Sequence, residues 1–170
     1  MKHIYRIIIL FLLLSCRQAN SNSIIEIKES NIKSVFSKPL NLVFLWTTWC
    51  GVSKSILKET YTKLQIDSNQ YNIILICGNN DPFVVDKYLN SLNINLKRYC
   101  IDNSSNIFPI IDRKNIKEFI KQKFNNTENI SLDGNFGVPV TLLIDSSLNI
   151  LNSNMPQDTT NIRSEIAKFK

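Results

Sequence analysis

Histidine is almost absent from this chain: the single one, His3, lies in the first few residues. Two chemistries go with it. A nucleophilic triad built on imidazole has no base, and no Cys/His cluster with zinc-ligand spacing occurs anywhere, so neither a metal nor another cofactor is expected. A long apolar run is also missing. The strongest, Ile7 to Leu14, falls short of the about 20 residues that cross a bilayer. No internal repeat is present. Lysine and arginine number 20 against 14 acidic residues, but they are scattered. Lys114, Lys117, Lys121 and Lys123 read as the solvated face of one helix, so nucleic acid is not an expected partner.

What opens the chain is a leader. Lys2, His3 and Arg6 precede the apolar run, and Leu13-Leu14-Ser15-Cys16 closes it. Basic start, short apolar centre and small-residue ending are the parts of a secretory signal. The ending resembles a bacterial lipobox, which implies that residues 1–16 form a lipoprotein signal peptide and that Cys16 is the acylated residue. The polar residues 17–23 then serve as a tether and residues 24–170 as one domain, long enough to enclose a core. A lipid anchor implies a membrane-attached, extracytoplasmic protein at the periplasmic face or cell surface. Disulfides persist in such a compartment.

Besides Cys16 the chain has Cys50, Cys77 and Cys100. Three is odd, so at least one is left out of any intramolecular pairing. Cys77 ends an apolar strand and reads as a buried residue. Cys100 lies on a later extended piece. As distant thiols they leave two arrangements open: Cys77 with Cys100, or Cys100 approaching Cys50. A disulfide needs Cα atoms within about 7 Å, and sequence spacing does not set that distance.

Periodicity orders the rest. Ile24–Ile27 reads as a strand, and Ile32, Val35 and Phe36 as a short helix. Leu42–Trp46 is apolar on both faces, as in a central strand buried on both sides. A helix from about Gly51 to Leu64 carries Val52, Ile56, Leu57, Thr60 and Leu64 on one stripe. Asn72–Cys77 is a second doubly buried strand. Asp81 caps a helix with Pro82 in its first turn, running to about Leu92. Lys97–Asp102 is extended, Ile116, Phe119, Ile120 and Phe124 mark an amphipathic helix, and 125–133 is a polar loop. Val138–Asp145 and Asn149–Asn154 form a hairpin turning at Ser146-Ser147. The last helix carries Ile162, Ile166 and Phe169. Alternating strands and helices, then a hairpin, then a helix predict an α/β fold with a central mixed sheet flanked by helices.

The segment Trp49-Cys50-Gly51-Val52-Ser53 follows the strand Leu42–Trp46, and Gly137-Val138-Pro139-Val140-Thr141 lies about ninety residues on. Together they resemble the thioredoxin-like family. The helix and extended piece between Asp81 and Asp102 look like the helical insertion of membrane-anchored extracytoplasmic thiol-disulfide reductases, placed before the cis-proline strand. The resemblance covers Ile24 to Lys170. It implies that Cys50 is a nucleophilic thiol at a helix N-terminus, where free amides favour a thiolate. It also implies that Pro139 is the cis-proline facing the cysteine, and that Trp49, Gly51, Val138 and Pro139 line the substrate site.

The departures are as informative. Ser53 stands where the family has its second cysteine, so the site is CxxS. Val52 replaces the proline inside the motif. Phe44 and Ile56 stand where family members carry acids. The dithiol cycle is therefore not expected. The leading expectation is monothiol exchange through Cys50, with Ser53 donating a hydrogen bond to the sulfur. It would act on protein or small-molecule disulfides in an isomerase- or deglutathionylation-like reaction, the mixed disulfide being resolved by another thiol of the substrate or by a partner reductase. Two other readings stay open: a non-catalytic thioredoxin-like binding module, and a thiol peroxidase, since Thr47 lies three residues before Cys50.

Overall fold

The computed structural model describes residues 24–78, 81–101, 109–130 and 137–170. The leader 1–16 with Cys16, the tether 17–23 and Asp102 lie outside the described residues.

Six strands form one mixed sheet in the order β1-β4-β3-β2-β5-β6. They are β1 (Ile25–Ile27), β2 (Asn41–Trp46), β3 (Asn72–Cys77), β4 (Arg98–Ile101), β5 (Val140–Ile144) and β6 (Ile150–Asn152). The first four run parallel, whereas β5 is antiparallel to β2 and β6 to β5. The unbroken apolar runs of β2 and β3 follow from this central position. Their alternate residues enter two separate cores.

Leu42, Phe44, Trp46, Ile73, Leu75 and Cys77 face one core. It is covered by the helical run after Cys50, by α3 (Pro82–Ser91) and by α5 (Thr159–Ala167). Val43, Leu45, Ile74 and Ile76 face the other, under α1 (Ile32–Val35) and α4 (Pro109–Lys123). The result is a helix-sheet-helix sandwich, the mixed α/β architecture the pattern predicts. At the base, the buried Asn41 donates to the carbonyls of Lys38 (2.8 Å) and Ile144 (3.2 Å) and accepts from Asn72 (3.1 Å). That network ties the starts of β2 and β3 to the end of β5.

The helical run after Cys50 is not uniform. It begins as α2 (Gly51–Ile56), widens into a π-helical turn (Leu57–Tyr61), and continues through an α turn (Thr62–Leu64) and a 3₁₀ turn (Gln65–Asn69). The wide turn lets Leu57, Thr60 and Tyr61 all face inward. Tyr61 packs on Phe44 at 4.5 Å between ring centroids, and Thr60 donates to the Gln157 carbonyl at 2.7 Å.

Two side chains depart from the expected stripes. Val52 is 57% exposed, because the inward stripe starts at Ser53 and places Val52 about 100° off it. Phe169 is 39% exposed, because α5 ends at Ala167 and the periodicity stops there. Asp81 does cap α3, its carboxylate accepting from the amides of Phe83 (3.0 Å) and Val84 (3.2 Å).

Candidate active site

β2 ends at Trp46, and the chain turns through Thr47-Thr48-Trp49 into α2. Cys50 is the N-cap residue, extended at φ −82° and ψ 113°, and no side chain caps the helix. Its amide donates to the Thr47 carbonyl (3.4 Å) and its carbonyl accepts from the Lys54 amide (3.1 Å). The amides of the first turn therefore have no partner within the helix. Cys50 is half-buried, and a Cβ at Gly51 would meet nothing within 4 Å, so the approach beside the sulfur is open.

Across the site, the Val138–Pro139 peptide is cis. The Cys50 thiol donates to the Val138 carbonyl at 3.4 Å. Sheet topology brings these distant segments together. β5 is antiparallel to β2, with Leu45 opposite Val140, so the end of β2 and the start of β5 share one edge of the sandwich. Trp49, Val138 and Pro139 are all half-buried around the sulfur.

Ser53 lies elsewhere. It is fully buried at the head of the inward stripe, and its hydroxyl has no hydrogen-bond partner. The expected bond from Ser53 to the Cys50 sulfur is not formed in this arrangement, because the thiol turns toward Val138 while Ser53 points into the core. Trp46 Nε1 and Thr47 Oγ1 are likewise buried without a hydrogen-bond partner.

Two cations near the Cys50 turn are each held on an aromatic ring. The Arg113 guanidinium, from α4, lies 5.3 Å from the centre of the Trp49 ring. Lys54, one helical turn after Cys50, places Nζ 5.7 Å from the centre of the Tyr88 ring. Tyr88 in turn donates its hydroxyl to the Lys54 carbonyl at 3.2 Å and packs on Trp46 at 5.9 Å. Burial raises the Tyr88 phenol above its ordinary value, which keeps that donor protonated. Neither Arg113 nor Tyr88 lies in the Trp49–Ser53 or Gly137–Thr141 motif. No signal in its own helix marks Arg113, an exposed residue that meets Trp49 only in the assembled fold.

Cys77 and Cys100 are brought together. They are direct register partners on β3 and β4, and no disulfide joins them. Cys100 does not continue toward Cys50, because β3 stands between β4 and β2. Among the described residues no group of three His, Cys, Asp or Glu gathers as a metal site, and no helix is long and apolar enough to cross a membrane.

The fold, with its helix-capping cysteine opposite a cis-proline, is that of the thioredoxin-like proteins. The thioredoxin domain of a thiol-disulfide oxidoreductase from Bacteroides vulgatus superposes with a TM-score of 0.53 at 12% identity, covering 81% of this chain and 83% of that one. A thiol:disulfide interchange protein from a Bacteroides species gives 0.52 at 16% identity, with 81% and 76% covered. A thioredoxin family protein from Chlorobium tepidum, also a thiol:disulfide interchange protein, gives 0.51 at 17% identity, with 80% and 81% covered. No protein-family model and no curated protein sequence matches the chain.

Proposed function

We propose that this chain is a thioredoxin-like protein that performs monothiol thiol-disulfide exchange through Cys50, anchored outside the cytoplasm by a lipid on Cys16. One observation carries the reading. Cys50 is a half-buried cysteine at the N-cap of α2, its thiol against the Val138 carbonyl beside the cis Pro139, and the first turn of α2 offers a buried serine where a second thiol would sit.

The chemistry follows from that arrangement. The Cys50 thiolate attacks one sulfur of a substrate disulfide, the substrate S–S bond breaks, and its other sulfur leaves as a thiolate that takes a proton from solvent. The product is a mixed disulfide on Cys50. With no second thiol in the turn, a thiol of the substrate or of a partner reductase must attack this adduct and release Cys50. Such a cycle suits isomerisation or removal of thiol adducts.

The test is peptide mapping by mass spectrometry after exposure of the full chain to a neutral disulfide. An adduct on Cys50, lost on addition of a small thiol, supports the reading; a Cys50 that stays unmodified in the folded protein overturns it. Metabolic labelling with a fatty acid tests the anchor, which Cys16→Ala should abolish.

A second reading, a binding module without exchange activity, is favoured by the thiol's hydrogen bond to the Val138 carbonyl. That bond occupies the S–H in a fixed contact. Under this reading Cys50→Ala leaves partner binding intact.

A further inference from the structure

Two cations lie near the Cys50 turn, and no acidic residue in the first turn of α2 neutralises them. Lys54 follows Cys50 by four positions, on the same side of the helix one turn along. Arg113 reaches the site from the opposite layer of the sandwich and rests on Trp49, the residue before Cys50. Both side chains are exposed. Neither takes part in an ion pair among the described residues, whose pairs use Lys28, Arg98, Lys114, Lys123, Arg163 and Lys168 instead. Their contacts are aromatic rings, which orient a cation without cancelling its charge. Each long side chain is thus pre-positioned, Arg113 on the ring of the residue before Cys50 and Lys54 on the Tyr88 ring one helical turn along.

We propose that the disulfide attacked by Cys50 is anionic, carrying carboxylates close to its sulfurs, and that Arg113 and Lys54 select it. This rests on the exchange reading above and names its substrate class. In the exchange step the Cys50 thiolate forms a sulfur–sulfur bond to one half of the substrate as the substrate's own bond breaks, and the other half departs as a thiolate. Both the bound half and the leaving half are acidic molecules, so the cations act before and after the bond exchange. They steer the approach of the disulfide and hold the adduct's carboxylates until a second thiol arrives. Two unit charges about 4 Å apart in water interact by about 1 kcal/mol, roughly fivefold in rate, so an effect of up to roughly two- to fivefold per cation is expected where the substrate's carboxylate meets it. Arg113 acts as a specificity residue, because it is held on the ring of the residue before Cys50.

The experiment compares three disulfides of different charge: oxidised glutathione (anionic), hydroxyethyl disulfide (neutral) and cystamine (cationic). The rate of adduct formation at Cys50 is followed on the full chain by mass spectrometry with peptide mapping. The expected order is anionic fastest and cationic slowest. The separation should shrink as the Debye length falls from about 30 Å at 0.01 M salt to about 3 Å at 1 M. Arg113→Gln and Lys54→Gln should each slow the glutathione reaction by roughly two- to fivefold and leave the neutral probe unchanged. Lys121→Gln, an exposed cation at the far end of α4, should change none of the three.

Equal rates for all three probes, or a faster cationic probe, overturn the charge proposal while Cys50 exchange stands. So does a slowing of the neutral probe by Arg113→Gln as large as that of the anionic one, since that marks a structural role for Arg113. A Cys50 inert to all three probes overturns the exchange reading itself.

Discussion

The Cys50 sulfur and the Val138 carbonyl oxygen lie 3.4 Å apart across 88 residues of sequence. The contact is a consequence of strand direction. Because β2 and β5 are antiparallel neighbours, the chain leaving β2 and the chain entering β5 meet at the same edge. The sulfur that must react and the backbone that faces it are therefore held by two neighbouring strands of the sheet, β2 and β5. Displacing either segment should alter reactivity without large loss of stability.

Ser53 supplies a direct test of what the missing thiol means. Its hydroxyl is buried without a partner, and an unsatisfied buried polar group is itself destabilising. Ser53→Ala should therefore leave stability unchanged or raise it by up to about 1 kcal/mol in denaturant unfolding. Ser53→Cys places a second thiol three residues after Cys50 in the same turn. When oxidised, the variant should carry an intramolecular disulfide; once reduced with dithiothreitol, it should reduce insulin faster than the native chain does. A variant that stays reduced and inactive would show that the buried side of this turn cannot approach the Cys50 sulfur.

Cys77 and Cys100 sit side by side, but β3 keeps Cys100 from the strand that leads to Cys50. Cys77→Ala with Cys100→Ala should leave the rate of adduct formation and release at Cys50 unchanged. A tenfold slower release would identify one of them as the resolving thiol. Cys77→Ser, which puts a hydroxyl into a fully buried site, should cost about 1–3 kcal/mol in urea unfolding.

The parts of this fold that show in the sequence are those where burial leaves no choice. β2 and β3 are apolar on both faces because both faces are covered, and Asp81-Pro82 marks the start of α3 because its cap geometry is local. The CxxS site is visible for the same reason, as consecutive residues at a strand end. Val52 was misplaced because apolarity alone does not reveal which side of a short helix faces a protein layer. The π turn at Leu57–Tyr61 shifts the helical period, and no residue in it signals the change. Arg113, Tyr88 and the Cys77–Cys100 pairing depend on how separate layers and strands meet. That information belongs to the assembled sheet and not to any one segment.

Burial of tyrosines sets the alkaline limit. Tyr61, Tyr71, Tyr88 and Tyr99 all have phenols raised above their ordinary value; burial is the leading cause for each, and at Tyr71 the neighbouring Asp67 carboxylate adds to it. Raised values mean that the folded state retains protons the unfolded chain releases. This contribution to stability is whole below the unfolded phenol's pKa of about 10 and is lost as pH rises above it. Unfolding free energy measured against pH should change little through these groups up to about pH 9 and then fall, most through the fully buried Tyr61, at up to about 1.4 kcal/mol per pH unit, and least through the partly exposed Tyr88. Tyr61→Phe should make that fall shallower. An unchanged slope in the variant would remove Tyr61 from the set.

Gly78 connects the end of β3 to the layer that carries Arg113. Its amide donates to the Trp46 carbonyl at 2.8 Å, which holds the chain close against the turn leading to Cys50. A Cβ at this position would stand 2.8 Å from Ile116 Cδ1, 3.0 Å from Ile116 Cγ1 and 3.4 Å from Thr47 Cγ2. Gly78→Ala therefore overpacks a filled site, and a destabilisation of about 1–3 kcal/mol is expected. The nearest atom is the end of a side chain, so the strain should pass into α4 through Ile116. Ile116→Val removes that δ-carbon and alone should cost about 0.5–1.5 kcal/mol. In the double variant the vacated space receives the new methyl, and the combined loss should be smaller than the sum of the two single losses by at least about 0.5 kcal/mol. Strict additivity in a double-mutant unfolding cycle would mean that the two residues do not press on one another. Gly78→Ala should also move α4 relative to the Cys50 turn, so the rate of Cys50 modification by a charged disulfide should change in the single variant and return toward the native rate in the double.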